Sequence, residues 1–274
     1  MIFLRMAGIL LLISALVGCR KEKPVESAAE VVESPSEKTT SPIQSSDSES
    51  QNLPADGLFD DFIYVYMRSP DFQKDRTLFP LKTFTDGVED SIGVENWTFN
   101  PLYVKEELYT LIYDSEESVG MENDSALAHV VVEWVYLRER TAKQFVFDKL
   151  AGLWKLTEIN SHGFKRNPNG DFYSFYEQFA TSASFALDHI EDPFEFETYD
   201  EDNFEQIDGF LGVEQWQDFS PMLPYEKLIN INYGQDYGST SQRVFMLCSP
   251  SGGMGCSLTF EKKGKSWTLT KLVN

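Results

Sequence analysis

Apolar residues recur at helical spacing at Leu58, Phe59, Phe62, Ile63 and Tyr66. This pattern predicts an amphipathic helix over Leu58–Arg68. Ser69-Pro70 reads as a cap and a first-turn proline, opening a second short helix to Leu78 that Pro80 ends. Leu81–Thr85 is extended, Asp86-Gly87 is a turn signal, and Ser91–Trp97 holds a short helical turn. The period then changes. Tyr103–Tyr113, Ala126–Arg138, Lys143–Leu150 and Leu153–Ile159 are rich in Val, Tyr, Phe, Trp and Thr and read as strands. In Val130–Leu137 both faces are largely apolar, which suits a long central strand.

The pattern then repeats. Phe59, Phe62, Ser69, Phe72, Asp75 and Pro80 recur 113 positions later as Phe172, Phe175, Ser182, Phe185, Asp188 and Pro193. Tyr66 becomes Phe179, and Phe147, Lys149, Trp154 and Leu156 become Phe260, Lys262, Trp267 and Leu269. A shared shift at both ends implies two copies of one unit. Leu211–Trp216 echoes Ile92–Trp97 at a shift of 119, so the second copy gains residues between Pro193 and Leu211. Strands are expected at Lys227–Tyr233, Gln242–Cys248, Cys256–Lys262 and Ser266–Val273. Helices followed by runs of strands imply an α+β architecture with antiparallel pairing. The expected organisation is a first unit over 56–161 and a second over 162–274, with His162–Gly170 as linker and Asp171 capping the helix that starts at Phe172.

The chain start reads differently. Arg5 precedes an apolar run from Met6 to Val17 that is short for a bilayer span. Leu16-Val17-Gly18-Cys19 resembles the bacterial lipobox. That resemblance implies a signal peptide over 1–18, cleavage before Cys19, and acylation of Cys19 as a lipid anchor. Arg20–Ala55 holds no Phe, Trp or Tyr and is rich in Ser, Glu, Pro and Thr. It cannot bury enough apolar surface to offset ordering entropy, so 19–55 is expected to be the lipidated cysteine and a disordered tether. As a flexible coil it spans roughly 35 Å.

Composition narrows the partners. The net charge is −21, from 44 acids against 23 bases. This disfavours nucleic acid, which needs basic patches, and adsorption to anionic headgroups. Cys248 and Cys256 flank the turn-rich run Ser249–Gly255 symmetrically, so a hairpin is expected to set them opposite each other as a disulfide. Two buried free thiols are the alternative.

Two N-terminal helices, a short helical turn ending in Trp, and a curved antiparallel meander resemble the nuclear transport factor 2-like (cystatin-like) fold. The whole chain is also similar to lipoproteins of Bacteroides-type Gram-negative bacteria that carry two such units in tandem. The resemblance covers about Leu58 to Asn274. It implies two cone-shaped domains, each with helices packed on a curved sheet around a cavity, and an outer-membrane location in the cell envelope. The superfold hosts isomerases, dehydratases and many binding modules, so fold alone does not assign function.

Candidate chemistry is sparse. No HExxH, GxSxG or GxGxxG occurs. Gly264-Lys265-Ser266 lacks the upstream glycine of a phosphate loop and is expected to be a hairpin turn. Asp188–Asp208 holds ten acids and no Lys or Arg. Within it, Asp200–Asn203 begins like a calcium loop, but Phe204 and Glu205 occupy ligand and turn-glycine places, so a solvated loop is expected. His129, His162 and His189 are scattered, with no spacing that pairs a base with a nucleophile. No catalytic residue, metal ligand or cofactor is therefore assigned. Tyr66, Trp97, Phe179 and Trp216 are the candidate ligand-lining residues, with core packing as the competing role. The expected function is a membrane-anchored, non-catalytic module that binds a small molecule, glycan, peptide or protein. The alternative is an isomerase- or dehydratase-type enzyme using a cone pocket for proton transfer.

Overall fold

The computed structural model describes residues 56–200, 203, 205–249 and 254–274, all within the unit Ser50–Asn274. The expected signal peptide, Cys19 and the tether lie outside the described residues.

The aromatic spacing at the start of the fold produces helix α1 (Phe59–Tyr66). Ser69 accepts a hydrogen bond from Phe72 N at 3.3 Å, and Pro70 opens α2 (Pro70–Asp75). Pro80 does not end this helix. It lies inside strand β1 (Thr77–Thr85), after a cis Phe79–Pro80 bond. A proline cannot donate to a ladder, and the register with the neighbouring strand shifts across it. Asp86 and Gly87, both with positive φ, close a two-residue hairpin onto β2 (Val88–Ile92). A 3₁₀ turn at Val94–Asn96 follows. Strands β3 (Tyr109–Tyr113), β4 (His129–Tyr136), β5 (Thr141–Leu150) and β6 (Leu153–Gly163) complete the first half. The strand expected over Tyr103–Tyr113 is thus confined to its last five residues.

Helices α3 (Gly170–Thr181) and α4 (Ala183–Leu187) begin the second half. Asn169 occupies the N-cap position of α3, and Asp171 lies in its first turn. His162 and Gly163 belong to β6 and Phe164 is buried, so the stretch read as linker is largely built into the fold. Strands β7 (Ile190–Asp200) and β8 (Glu205–Leu211) form a hairpin longer than β1–β2, which absorbs the acidic insertion. Part of its turn lies outside the described residues. Helix α5 (Trp216–Phe219) is followed by β9 (Lys227–Asn232), β10 (Gln242–Cys248), β11 (Met254–Lys263) and β12 (Ser266–Val273). Gly264-Lys265 turns β11 into β12 with Lys263 opposite Ser266.

All twelve strands form one curved, unclosed sheet in the order β2-β1-β6-β5-β4-β9-β3-β10-β11-β12-β7-β8. Exchanging each strand for the one six positions away in the chain reverses this order and leaves it unchanged. The centre is crossed over: β9 of the second half pairs with β4 of the first, and β3 of the first pairs with β10 of the second. The sheet is mixed, not wholly antiparallel. β1 runs parallel to β6, β7 to β12, and β3 touches β9 in parallel at Thr110–Asn230. A helix-containing or long return connection lets such neighbours share a direction, which a tight hairpin cannot do.

The central strands separate two cores. Along β4, Val130 and Val132 join the cluster beneath α1, whereas Val135, and Leu137 just past the strand end, join the cluster beneath α3. Along β10, Val244 joins the first and Phe245 and Leu247 the second. Successive strand residues point to opposite faces, so the two helical layers cover opposite faces of the sheet centre. Phe59, Phe62, Phe147 and Trp154 fill one layer, with ring centroids 5.2–6.3 Å apart. Phe172, Phe175, Phe260 and Trp267 fill the other at 5.2–6.3 Å. These are the edge-on and offset spacings that aromatic rings prefer.

Cys248 and Cys256 are free, buried thiols. The hairpin forms as expected, but Cys256 pairs with Leu247 and a bulge sets Cys248 against Met254. Cys248 therefore faces the first core and Cys256 the second. Side chains on opposite faces cannot make the S–S bond expected from their symmetric spacing.

Candidate binding site

A groove of about 910 Å³ opens where the two halves meet. The β1–β2 turn contributes Asp86, the β4–β5 turn contributes Arg140, and the connection into α3 contributes Gly163–Pro168 and Gly170. From the second half come Asp171, Ser174, Tyr237, Gly238 and Lys262. The connection is compact because a 3₁₀ turn spans Phe164–Arg166 and Phe164 is buried. Gly170 is required by a close approach: a Cβ there would overlap the Phe164 carbonyl. Arg166 reaches over the first hairpin and donates to the Asp86 carbonyl. Lys262 pairs with Asp171.

Beneath the groove floor lies a buried polar network. Asn167 links the two, since it lines the groove and donates to Glu133 Oε1 at 2.5 Å. Gln144 donates to the same oxygen at 2.9 Å, and Tyr173 donates to Oε2 at 2.5 Å. Glu133 is 4% exposed, so its charge is held by hydrogen bonds instead of water. Burial pushes the Tyr173 phenol well above its ordinary value, and the Glu133 charge adds to this. The neighbouring Asn169 accepts from Arg243 Nε at 2.7 Å. Arg243, 1% exposed, also donates to the Tyr237 carbonyl at 2.6 Å and stacks 4.8 Å from Trp267.

Two further carboxylate–tyrosine pairs lie on the other face. Tyr233 donates to Asp60 Oδ1 at 2.7 Å, and Tyr113 donates to Glu122 Oε2 at 2.6 Å. Asp60 is an exposed residue overall, yet desolvation of its carboxyl raises its pKa above the ordinary value, partly opposed by the Tyr233 hydrogen bond. Asp60 and Tyr173 occupy equivalent helix positions 113 apart, so one helix contributes the acid and the other the phenol.

The four aromatic candidates do not converge. Tyr66 is buried and its hydroxyl lies 2.9 Å from Thr77 Oγ1. Trp97 is half-buried against Phe79 at 5.8 Å. Phe179 and Trp216 do meet, at 5.8 Å, and together line a cleft of about 320 Å³ with Ala183, Leu187 and Leu223. His129 bonds Asp148 at 2.8 Å, and His189 stacks on Phe185 at 3.9 Å. His189 takes the place of Arg76, whose guanidinium lies 4.9 Å from Phe72 and pairs with Asp56 at 2.6 Å. Among the described residues no group of three or more His, Cys, Asp or Glu is arranged to hold a metal ion. No described helix is long and apolar enough to cross a membrane.

Glu133, Asn167 and the Lys165-Arg166 pair were not singled out by sequence. Glu133 had a legible signal, being the one charge inside the apolar run Val130–Leu137.

A family model described as a domain of unknown function (DUF4348) matches residues 40–274. Among solved structures, the chain is similar to an NTF2-like protein from Bacteroides fragilis NCTC 9343. The two are 35% identical, with a TM-score of 0.72 over 81% of this chain and 97% of that one. No curated protein matches the chain.

Proposed function

The chain belongs to the DUF4348 family, and from that premise we propose that it is a lipid-anchored binding module of the cell envelope. In this reading Cys19 carries the anchor, residues 19–55 form the tether, and two tandem NTF2-like units at 56–161 and 162–274 present the binding surface. Strand pairing across the sheet centre joins the two units in one platform. The observation that carries the binding role is where space is found. The aromatic layers under α1 and α3 are packed with rings, while the groove of about 910 Å³ opens at the junction of the halves. That volume suits a small-molecule, saccharide or short-peptide segment. None of Glu133, Asp60 and Glu122, the carboxylates given tyrosine donors above, lines this groove, which favours binding over proton transfer.

The anchor and the groove are separable in experiment. Replacing Cys19 with serine is expected to move the protein from the membrane fraction to the soluble fraction; retention in the membrane defeats the anchor. For the groove, Gly238→Trp is the test, because a Cβ there meets only Asp236 Oδ1 at 3.4 Å and the added ring projects from the lining. Ligands found by screening neutral sugars, sugar acids and short peptides are expected to lose affinity for this variant. Binders that ignore it place the site elsewhere.

A further inference from the structure

The groove has a charge opposite to that of the chain. Its charged lining consists of Arg140, Lys165, Arg166 and Lys262 against Asp86 and Asp171, in a chain with 44 acids and 23 bases. One of the two acids is committed: Asp171 Oδ2 accepts from Lys262, while its Oδ1 accepts from Phe172 N at 2.8 Å. Of the cations, Lys262 is the one held by that close pair; Arg140, Lys165 and Arg166 have no ion pair shorter than 3.7 Å among the described residues. No ion pair or hydrogen bond among the described residues engages the Lys165 ammonium. Arg166 donates to a neutral carbonyl, that of Asp86. Arg140 stands 3.7 Å from Glu177, too far for a close bidentate pair, and is 54% exposed.

Arg140 also has φ of +54°. A side-chain-bearing residue in the left-handed region is disfavoured relative to glycine, and such outliers cluster at ligand sites. The twelve-residue helix α3 starts in the same groove, with Gly170 and Asp171 in the lining. Its dipole adds partial positive charge there.

Resting on the groove reading above, we propose that the ligand carries an oxyanion, a carboxylate, sulfate or phosphate, seated between Arg140, Lys165 and Arg166. The guanidinium forks of Arg140 and Arg166 suit a planar or tetrahedral oxyanion, and Lys165 adds a point charge. The groove is far larger than a single ion, so the oxyanion is one substituent of a larger ligand whose remainder lies toward Tyr237 and Gly238. The strongly acidic surround repels free anions at long range, which confines capture to ligands that make these contacts at close quarters.

The test uses the full chain with four probes: inorganic phosphate, inorganic sulfate, a glucuronate oligosaccharide and the matching neutral glucose oligosaccharide. Binding is measured by calorimetry at two salt concentrations. At least one anionic probe is expected to bind, with affinity falling as salt rises. The double variant K165Q/R166Q is expected to weaken it about tenfold or more, whereas K74Q, an exposed lysine on α2 outside the groove, leaves it unchanged. The three oxyanion classes are told apart by which probe binds. Absence of any anionic binding, or binding unchanged in K165Q/R166Q, overturns the proposal. Neutral-probe binding that Gly238→Trp abolishes, without anionic preference, sinks the oxyanion inference and leaves the groove reading intact. Probe binding of both kinds that Gly238→Trp does not change sinks both.

Discussion

Tyr173, on the long helix of the second half, donates its phenol to Glu133, on the central strand of the first half, at 2.5 Å. The bond crosses the junction of the halves and anchors α3 to the sheet at a point where Asn167 and Gln144 also converge. Removing the phenol leaves a buried carboxylate short of one donor. Tyr173→Phe is therefore expected to destabilise the fold by about 1–3 kcal/mol in urea denaturation, because an unmet buried charge costs more than a neutral hydrogen bond. Glu133→Gln combined with Tyr173→Phe is expected to cost less than the sum of the single changes. Additive losses would mean that the two residues stabilise the fold independently.

Two aspartates predict opposite pH responses. Burial raises the Asp56 pKa, but bonds from Arg76 and the Trp154 N–H, with the Arg76 charge, outweigh it and hold Asp56 below the ordinary carboxylate value. Its stabilisation is present above the unfolded pKa and is lost as pH falls through the lower folded pKa. For Asp60, burial prevails and the folded pKa is raised. Its contribution is present below the unfolded pKa and is lost as pH rises through the folded one. The stability gap between wild type and Asp56→Asn is therefore expected to shrink on acidification below the ordinary carboxylate range. Over the range above it, the balance between wild type and Asp60→Asn is expected to tip toward the variant as pH rises. Denaturation curves at several pH values check both; parallel trends for the two variants would contradict the assignment.

The cysteines give a chemical test of the sheet register. Burial pushes both thiols up to about 11, so each is protonated and shielded at neutral pH. In a Cys19→Ser background, an aromatic disulfide reagent is expected to label neither thiol quickly in the native state and both after denaturation. Failure to label either after denaturation would show that they are joined.

The local structure was largely legible in the sequence. Strands β10 and β12 run as expected over Gln242–Cys248 and Ser266–Val273, and the aromatic stripes of α1 and α3 are core. Hydrophobic period is a property of a short stretch, and it reads well there. Partner choice is not local. Nothing in Lys227–Asn232 says that it pairs with β4 from the other half, although burial of Leu228 on one face and Ile229 on the other marks a central strand. The cysteine pair failed for a related reason: one bulged residue changes which face a side chain takes. The groove was illegible because Asp86, Arg140, Arg166 and Lys262 come together only through the fold. The anchor at Cys19 remains a reading of sequence, now part of the proposed function.

We propose that this platform binds a ligand at the junction of its halves without turning it over. The direct measurement is hydrogen exchange on the full chain, with and without the tightest binder from a panel of neutral and acidic saccharides and short peptides, with the ligand recovered afterwards. Protection is predicted at Gly163–Asp171 and around Tyr237–Gly238, with the ligand recovered unchanged. Protection confined to the Asp60–Tyr233 face, or recovery of a chemically altered ligand, would contradict the account.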